Sequence, residues 1–328
     1  MSKNPPKMTG LGIMVTLLSL FSLLLGACGD STATSIPPTT AATIAIATTI
    51  VTTATTTSST TITAANVTGE VVVYAASSLT EPFNKIKADL EKANPGLKVT
   101  FSFGGSNTLR AQLEQGAKAD VFASANQTEM DNALKSSLVT DKGTIFARNR
   151  LVVILPKNNP AKVTKLQDLA NPGLKFVTAQ KDVPVGGYTL TALDKMSKDA
   201  AFTSDFSTRV QANFVSQESN VKQVVAKIQL GEADAGVCYL TDISAQVLPD
   251  LTTLSIPDQF NTLAAYPISS LKGASNTAAA QAFVAYVMGA PGQATLKSYN
   301  FISPTATTGS TQGGLSASIV NPEKLARV

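Results

Sequence analysis

The sequence contains no histidine, no tryptophan and only two cysteines, Cys28 and Cys238. Without an imidazole, every mechanism that needs histidine as base, relay or metal ligand is excluded. Two cysteines alone cannot close a structural zinc site. Charge is scarce too: Asp, Glu, Lys and Arg make up 15% of the 328 residues, while hydrophobic residues make up 44%. An average soluble domain is about 25% charged. The deficit sits in residues 31–66, which carry no charged side chain at all. The formal net charge is +4, from 26 basic and 22 acidic residues, and two of the bases, Lys3 and Lys7, precede Cys28. A balance this small, without a basic cluster, argues against a nucleic-acid footprint.

Lys3 and Lys7 lead into an apolar run over residues 11–25. The run is shorter than the roughly 20 residues a membrane span needs, and fits the core of a signal peptide over residues 1–27. It ends in Leu25-Gly26-Ala27-Cys28, which resembles a bacterial lipobox. That resemblance implies cleavage before Cys28 and lipid attachment to its sulfur, holding the chain at the extracytoplasmic face of the membrane, in the periplasm or at the cell surface. Residues 28–66, rich in Thr, Ala and Ser, carry no charge after Asp30 and no amphipathic period, and read as a solvated tether. Residues 304–328 read as a low-complexity tail. Cys238 reads as a small buried hydrophobe.

Between them, buried apolar runs alternate with helical spacings. Residues 70–76, 98–103, 120–124, 151–155, 175–178, 210–215 and 235–239 read as strands, and residues 261–269 as a returning strand. Helical patterns include Leu79, Phe83, Ile86 and Leu90; Leu109 and Leu113; Val221, Val224, Val225 and Ile228; and two closing helices over 278–288 and 292–299. The fold class is therefore α/β, with mostly parallel sheets covered on both faces. Some 235 residues exceed the usual single domain, so two lobes are expected: residues 67–156 plus 264–303, and residues 157–263. The chain crosses between them twice, near Pro156 to Pro160 and again near Leu263 to Pro267, leaving a hinged cleft.

Several strand-to-helix junctions share one chemistry. After the first strand, Ser78 and Glu81 have capping-box spacing and Pro82 suits a first helical turn. After the second, Gly104 and Gly105 permit close backbone approach, and Ser106 offers a hydroxyl and an amide. Val183-Pro184-Val185-Gly186-Gly187 and Ser219-Asn220-Val221 open further helices. Such ends concentrate unpaired N–H groups at a positive dipole end, where anions bind. Each alone is also an ordinary helix cap, and from spacing alone Tyr239 reads as a core tyrosine. None of these positions is Lys or Arg, so a site built from them would hold an anion by neutral donors.

The segments VVVYAASSLTEPF, FSFGGSNTLRAQLEQGAKADVFASANQTEMD, DVPVGGYTLTAL, SNVKQVVAKIQLGEADAGVCYLTD and AFVAYVMGAPGQATLKSYNF together resemble, in order and spacing from Val71 to Ile302, the molybdate-binding proteins of bacterial ABC importers. The resemblance implies a periplasmic-binding-protein fold of type II, a non-enzymatic monomer with no cofactor, and an ABC permease as partner. It also implies five positions around a molybdate or tungstate oxyanion: Ser78 and Ser106 by hydroxyl and amide, Val185 and Val221 by backbone N–H, and Tyr239 by its hydroxyl. No cation site is implied; molybdenum would be bound only as its oxyanion. Molybdate and tungstate are fully deprotonated at neutral pH and only accept hydrogen bonds. Phosphate keeps a proton that needs an acceptor, a mismatch worth about 1–3 kcal/mol, and sulfate is smaller. A sulfate or phosphate carrier on the same scaffold is the nearest alternative, and a surface interaction protein a more distant one.

Overall fold

The computed structural model describes residues 67–305. Expectations that fall on the signal segment, Cys28, the tether and the tail beyond residue 305 lie outside the described residues.

The described chain forms two five-stranded sheets. In the first, β1 (Gly69–Ala76) pairs in parallel with β2 (Leu97–Gly104) and β3 (Val121–Ala123), and β10 (Ala264–Ser270) lies antiparallel between β3 and β4 (Thr144–Asn149). The second repeats the pattern. There β6 (Phe176–Ala179) pairs in parallel with β7 (Phe214–Glu218) and β8 (Ala235–Tyr239), and β5 (Leu151–Pro156) lies antiparallel between β8 and β9 (Leu251–Ser255). Four of five strands in each sheet thus point one way. The reversed strand is in each case the one that enters from the other lobe.

Two expectations are corrected here. The first crossover falls at Arg150, so Leu151–Pro156 belongs to the second lobe and not the first. Pro156 does not break the sheet, because as the last residue of β5 it sits on the ladder to β9. The break comes at Arg150, whose N–H donates to the Asn149 side chain and leaves the first sheet, while its carbonyl accepts from Leu240 N–H beside the β5–β8 pair Leu151–Tyr239. The chain re-enters the first sheet at Ala264. Residues 210–215, read as one strand, are instead the end of α5 (Phe206–Ala212) and the start of β7. Phe206 and Val210 are both buried four residues apart, a helical pairing.

The helices flank the sheets. In the first lobe α1 (Thr80–Ala93) buries Phe83, Ile86 and Leu90, and Phe83 packs against Phe101, Phe146 and Phe283. The last of these comes from α7 (Thr277–Met288), which is followed by α8 (Ala290–Ser298). On the other face of that sheet α2 (Ser106–Glu114) and α3 (Gln127–Lys135) build a second core with Leu109, Leu113, Phe122 and Met130. In the second lobe α4 (Pro184–Ser197) and α6 (Val221–Gln229) bury Leu193, Met196, Val224 and Ile228. Among the described residues no helix is long and apolar enough to cross a membrane.

Candidate functional site

β1, β2, β6 and β7 each deliver the chain to a helix start at the same edge. β1 ends in a single 3-10 turn, Ser77–Leu79, that runs into α1. The anticipated capping box does not form there. Glu81 instead reaches Lys222 of α6, at 2.8 and 2.9 Å, and Ser78 meets the Tyr266 hydroxyl at 3.0 Å. A contact 141 residues away outcompetes the local cap. Ser106 is the first residue of α2, Val185 the second of α4 and Val221 the first of α6, so their N–H groups have no intrahelical acceptor. At α4 the approach is tight: a Cβ on Gly186 would stand 2.1 Å from the Gln180 carbonyl oxygen.

These starts line a small, partly open cleft between the lobes. Ser78, Ser106, Val185, Val221 and Tyr239 all line it, joined by Gly105, Ala125 and Pro184 among others. The five residues singled out from the sequence, from Ser78 to Tyr239, therefore line one cleft. No Asp, Glu, Lys or Arg lines the cavity.

The hydroxyls are arranged as donors. Ser106 Oγ accepts the Ala125 N–H at 3.0 Å, which leaves its own proton unengaged by that bond. The Tyr239 hydroxyl is buried without a hydrogen-bond partner although its ring packs against Tyr188 and Tyr266. A buried, unpaired hydroxyl costs about 1–3 kcal/mol and marks a place where something is meant to accept from it. Burial also pushes the Tyr239 phenol well above its ordinary range, and neighbouring Tyr266, Tyr188 and Asp242 push the same way. Tyr188 is raised to about 12, chiefly by burial. Both remain protonated donors throughout the physiological range.

Beside the cleft lies a charged cluster. Lys222 pairs across it with Glu81 and, at 3.4 Å, with Asp242, which is fully buried. Sequence reasoning missed this cluster, and also missed Tyr266 and Asn149 behind Ser78. No spacing rule links residues so far apart. Among the described residues no group of acidic or cysteine side chains is placed to hold a metal cation.

Two α/β lobes joined by two crossovers, with neutral donors from both converging on one cavity, define a two-lobed ligand-binding protein of the periplasmic-binding type. The chain belongs to the bacterial extracellular solute-binding protein family, whose pattern it matches over residues 71–302. It is 38% identical over 234 residues to the molybdate-binding protein ModA of Mycobacterium tuberculosis H37Rv, covering 71% of this chain and 85% of that one. Identity to ModA of Escherichia coli K12 is 30% over 240 residues, covering 71% and 89%. The periplasmic molybdate-binding protein of Azotobacter vinelandii shares the fold with a TM-score of 0.61 at 19% identity, covering 71% of this chain and 99% of that one.

Proposed function

We propose that the protein captures molybdate, with tungstate as its chemical equivalent, between its lobes and delivers it to an ABC permease. The observation that carries the reading is the composition of the cavity wall: hydroxyl and backbone N–H donors from both lobes, with no carboxylate and no cation. Such a wall suits a ligand that only accepts hydrogen bonds. The relatives named for molybdate support the choice of ion. Ser78, Ser106, Val185, Val221 and Tyr239 are the contacts in this proposal. The lipobox-like Leu25-Gly26-Ala27-Cys28 supports attachment, through lipid on Cys28, to the outer face of the cell membrane.

The test is thermal unfolding and titration calorimetry with molybdate, tungstate, sulfate and phosphate. At 100 times its dissociation constant a ligand adds about 2.7 kcal/mol to stability. Molybdate and tungstate should raise the melting temperature at concentrations where phosphate does nothing. Equal response to phosphate would reject the donor-only reading.

Tyr239→Phe is expected to separate binding from folding. It removes an unpaired buried hydroxyl, so the ligand-free protein should unfold at the same or a slightly higher temperature. Molybdate affinity should fall by about 1.5–3 kcal/mol, as for a lost hydrogen bond to a charged group. Because burial keeps this phenol protonated, the wild-type affinity should stay level from pH 7 to 9.

A further inference from the structure

Behind Ser78 lies a chain of hydrogen bonds whose direction is fixed at its far end. Asn149 is fully buried, and its Oδ1 accepts the Arg150 backbone N–H at 2.9 Å. A backbone N–H can only donate, so the other end of this amide is its Nδ2, a donor alone. Nδ2 donates to Thr241 Oγ1 at 2.7 Å and to Tyr266 Oη at 3.3 Å. Tyr266 Oη therefore accepts from Asn149 and has one proton left, and the group in hydrogen-bond geometry to take it is Ser78 Oγ at 3.0 Å, the neighbouring Tyr239 hydroxyl making no such bond. Ser78 Oγ accepts that proton and keeps its own for the cavity it lines. The Tyr266 ring cannot swing away, being fully buried among Phe146, Tyr239 and Phe301.

We infer that Asn149 and Tyr266 are positioning residues that hold Ser78 as an obligate hydrogen-bond donor toward the bound oxyanion. Rotated the other way, the Ser78 hydroxyl would present a lone pair to a dianion, or accept a proton from a hydrogen-bearing rival such as phosphate. The relay forbids that orientation, because Tyr266 would then have to accept twice with its proton unplaced in a buried site. Ser106 reaches the same result by another route, through the Ala125 N–H. Asn149 also spans the first crossover, since Thr241 belongs to the second lobe. The relay is thereby anchored from both lobes.

The inference rests on the molybdate reading, and a double-mutant cycle separates the two. Molybdate affinity is measured by calorimetry for wild type, Tyr266→Phe, Ser78→Ala and the double variant, each with its ligand-free melting temperature. The expected result is a loss of about fivefold to tenfold for Tyr266→Phe in the wild-type background, the size of one hydrogen bond. In the Ser78→Ala background the same change should cost less than twofold, since Tyr266 then has no hydroxyl to orient. A loss equal in both backgrounds, or none in either, would overturn the relay while leaving the molybdate site standing. Absence of molybdate binding by the wild type would instead remove the ligand reading, and the relay with it. Should Tyr266→Phe fail to fold, Asn149→Ala, which removes the donor that sets the direction, takes its place in the same cycle.

Discussion

Gly105→Ala is expected to cripple molybdate binding without harming the fold. Gly105 precedes α2 with φ −65° and ψ 134°, a conformation open to any residue. The substitution therefore carries no backbone strain. Its cost is steric and lies between the lobes. A Cβ there would stand 2.4 Å from the backbone carbonyl oxygen of Ser219, on the opposite lobe, and 2.9 Å from Asn107 Oδ1. A backbone oxygen cannot rotate aside as a side chain can. The lobes must part by several tenths of an ångström or more, and the donors of α2 then lose their alignment with those of α6. Overpacking of this kind costs about 1–3 kcal/mol. Charged to the closed form alone, that is a loss of roughly 5- to 150-fold in affinity. Calorimetry should show the loss, the ligand-free melting temperature should stay within a degree or two, and small-angle scattering should show the variant failing to compact on adding molybdate. Unchanged affinity would mean that binding does not require the approach of Gly105 to Ser219.

How far this site was legible in the sequence depends on the range of the interactions. The helix starts at Ser106, Val185 and Val221 were readable because glycine, proline and Asn signal a turn within a few residues. Strand β8 was readable because Ala235–Tyr239 is apolar throughout and buried throughout. The division between lobes was not readable to the residue. Strands β4 and β5 are separated by Arg150 alone, yet they lie in different sheets, and hydrophobic pattern records burial without recording which core does the burying. Residues 210–215 failed for a related reason, since Val210, Ala212 and Phe214 alternate with polar residues like a strand while Asn213 ends a helix between them. Ser78 shows the limit most clearly. Its spacing to Glu81 promised a cap, but Glu81 bonds Lys222 and Ser78 bonds Tyr266. Local preference, worth about 1 kcal/mol at a cap, lost to tertiary partners that no local window contains.

Lys222→Met should produce the largest loss of stability of any single change near the cleft. Asp242 is fully buried; its Oδ2 accepts the Tyr239 N–H at 3.1 Å, while its Oδ1 has no hydrogen bond and only the charge of Lys222 at 3.4 Å. Burial already raises the Asp242 carboxyl above its ordinary range, and Lys222 acts against that rise. For Lys222 burial works against the charge, but Asp242 and Glu81 outweigh it and leave the ammonium raised. Removing the lysine strands a buried carboxylate, a change that costs about 3–5 kcal/mol. The sign of the pH dependence follows. A carboxyl with a raised folded pKa is most favourable below the unfolded value of about 4, and loses that advantage as pH climbs through the folded value. Without Lys222 the folded value climbs further, so Lys222→Met should be least stable near neutrality and recover as pH falls toward 5. Urea unfolding at pH 5 and pH 7.5 measures this directly, and a deficit equal at both would show that Asp242 is not the group left unpaired. Glu81→Gln supplies the contrast. Glu81 is about one-third exposed, so neutralising it breaks only the arm that spans the lobes, worth about 0.2–1 kcal/mol as a partly solvated pair. That variant should leave unfolding nearly unchanged and weaken molybdate binding by no more than about fivefold, which places the stability of this cluster within the second lobe and only its small remainder in closure.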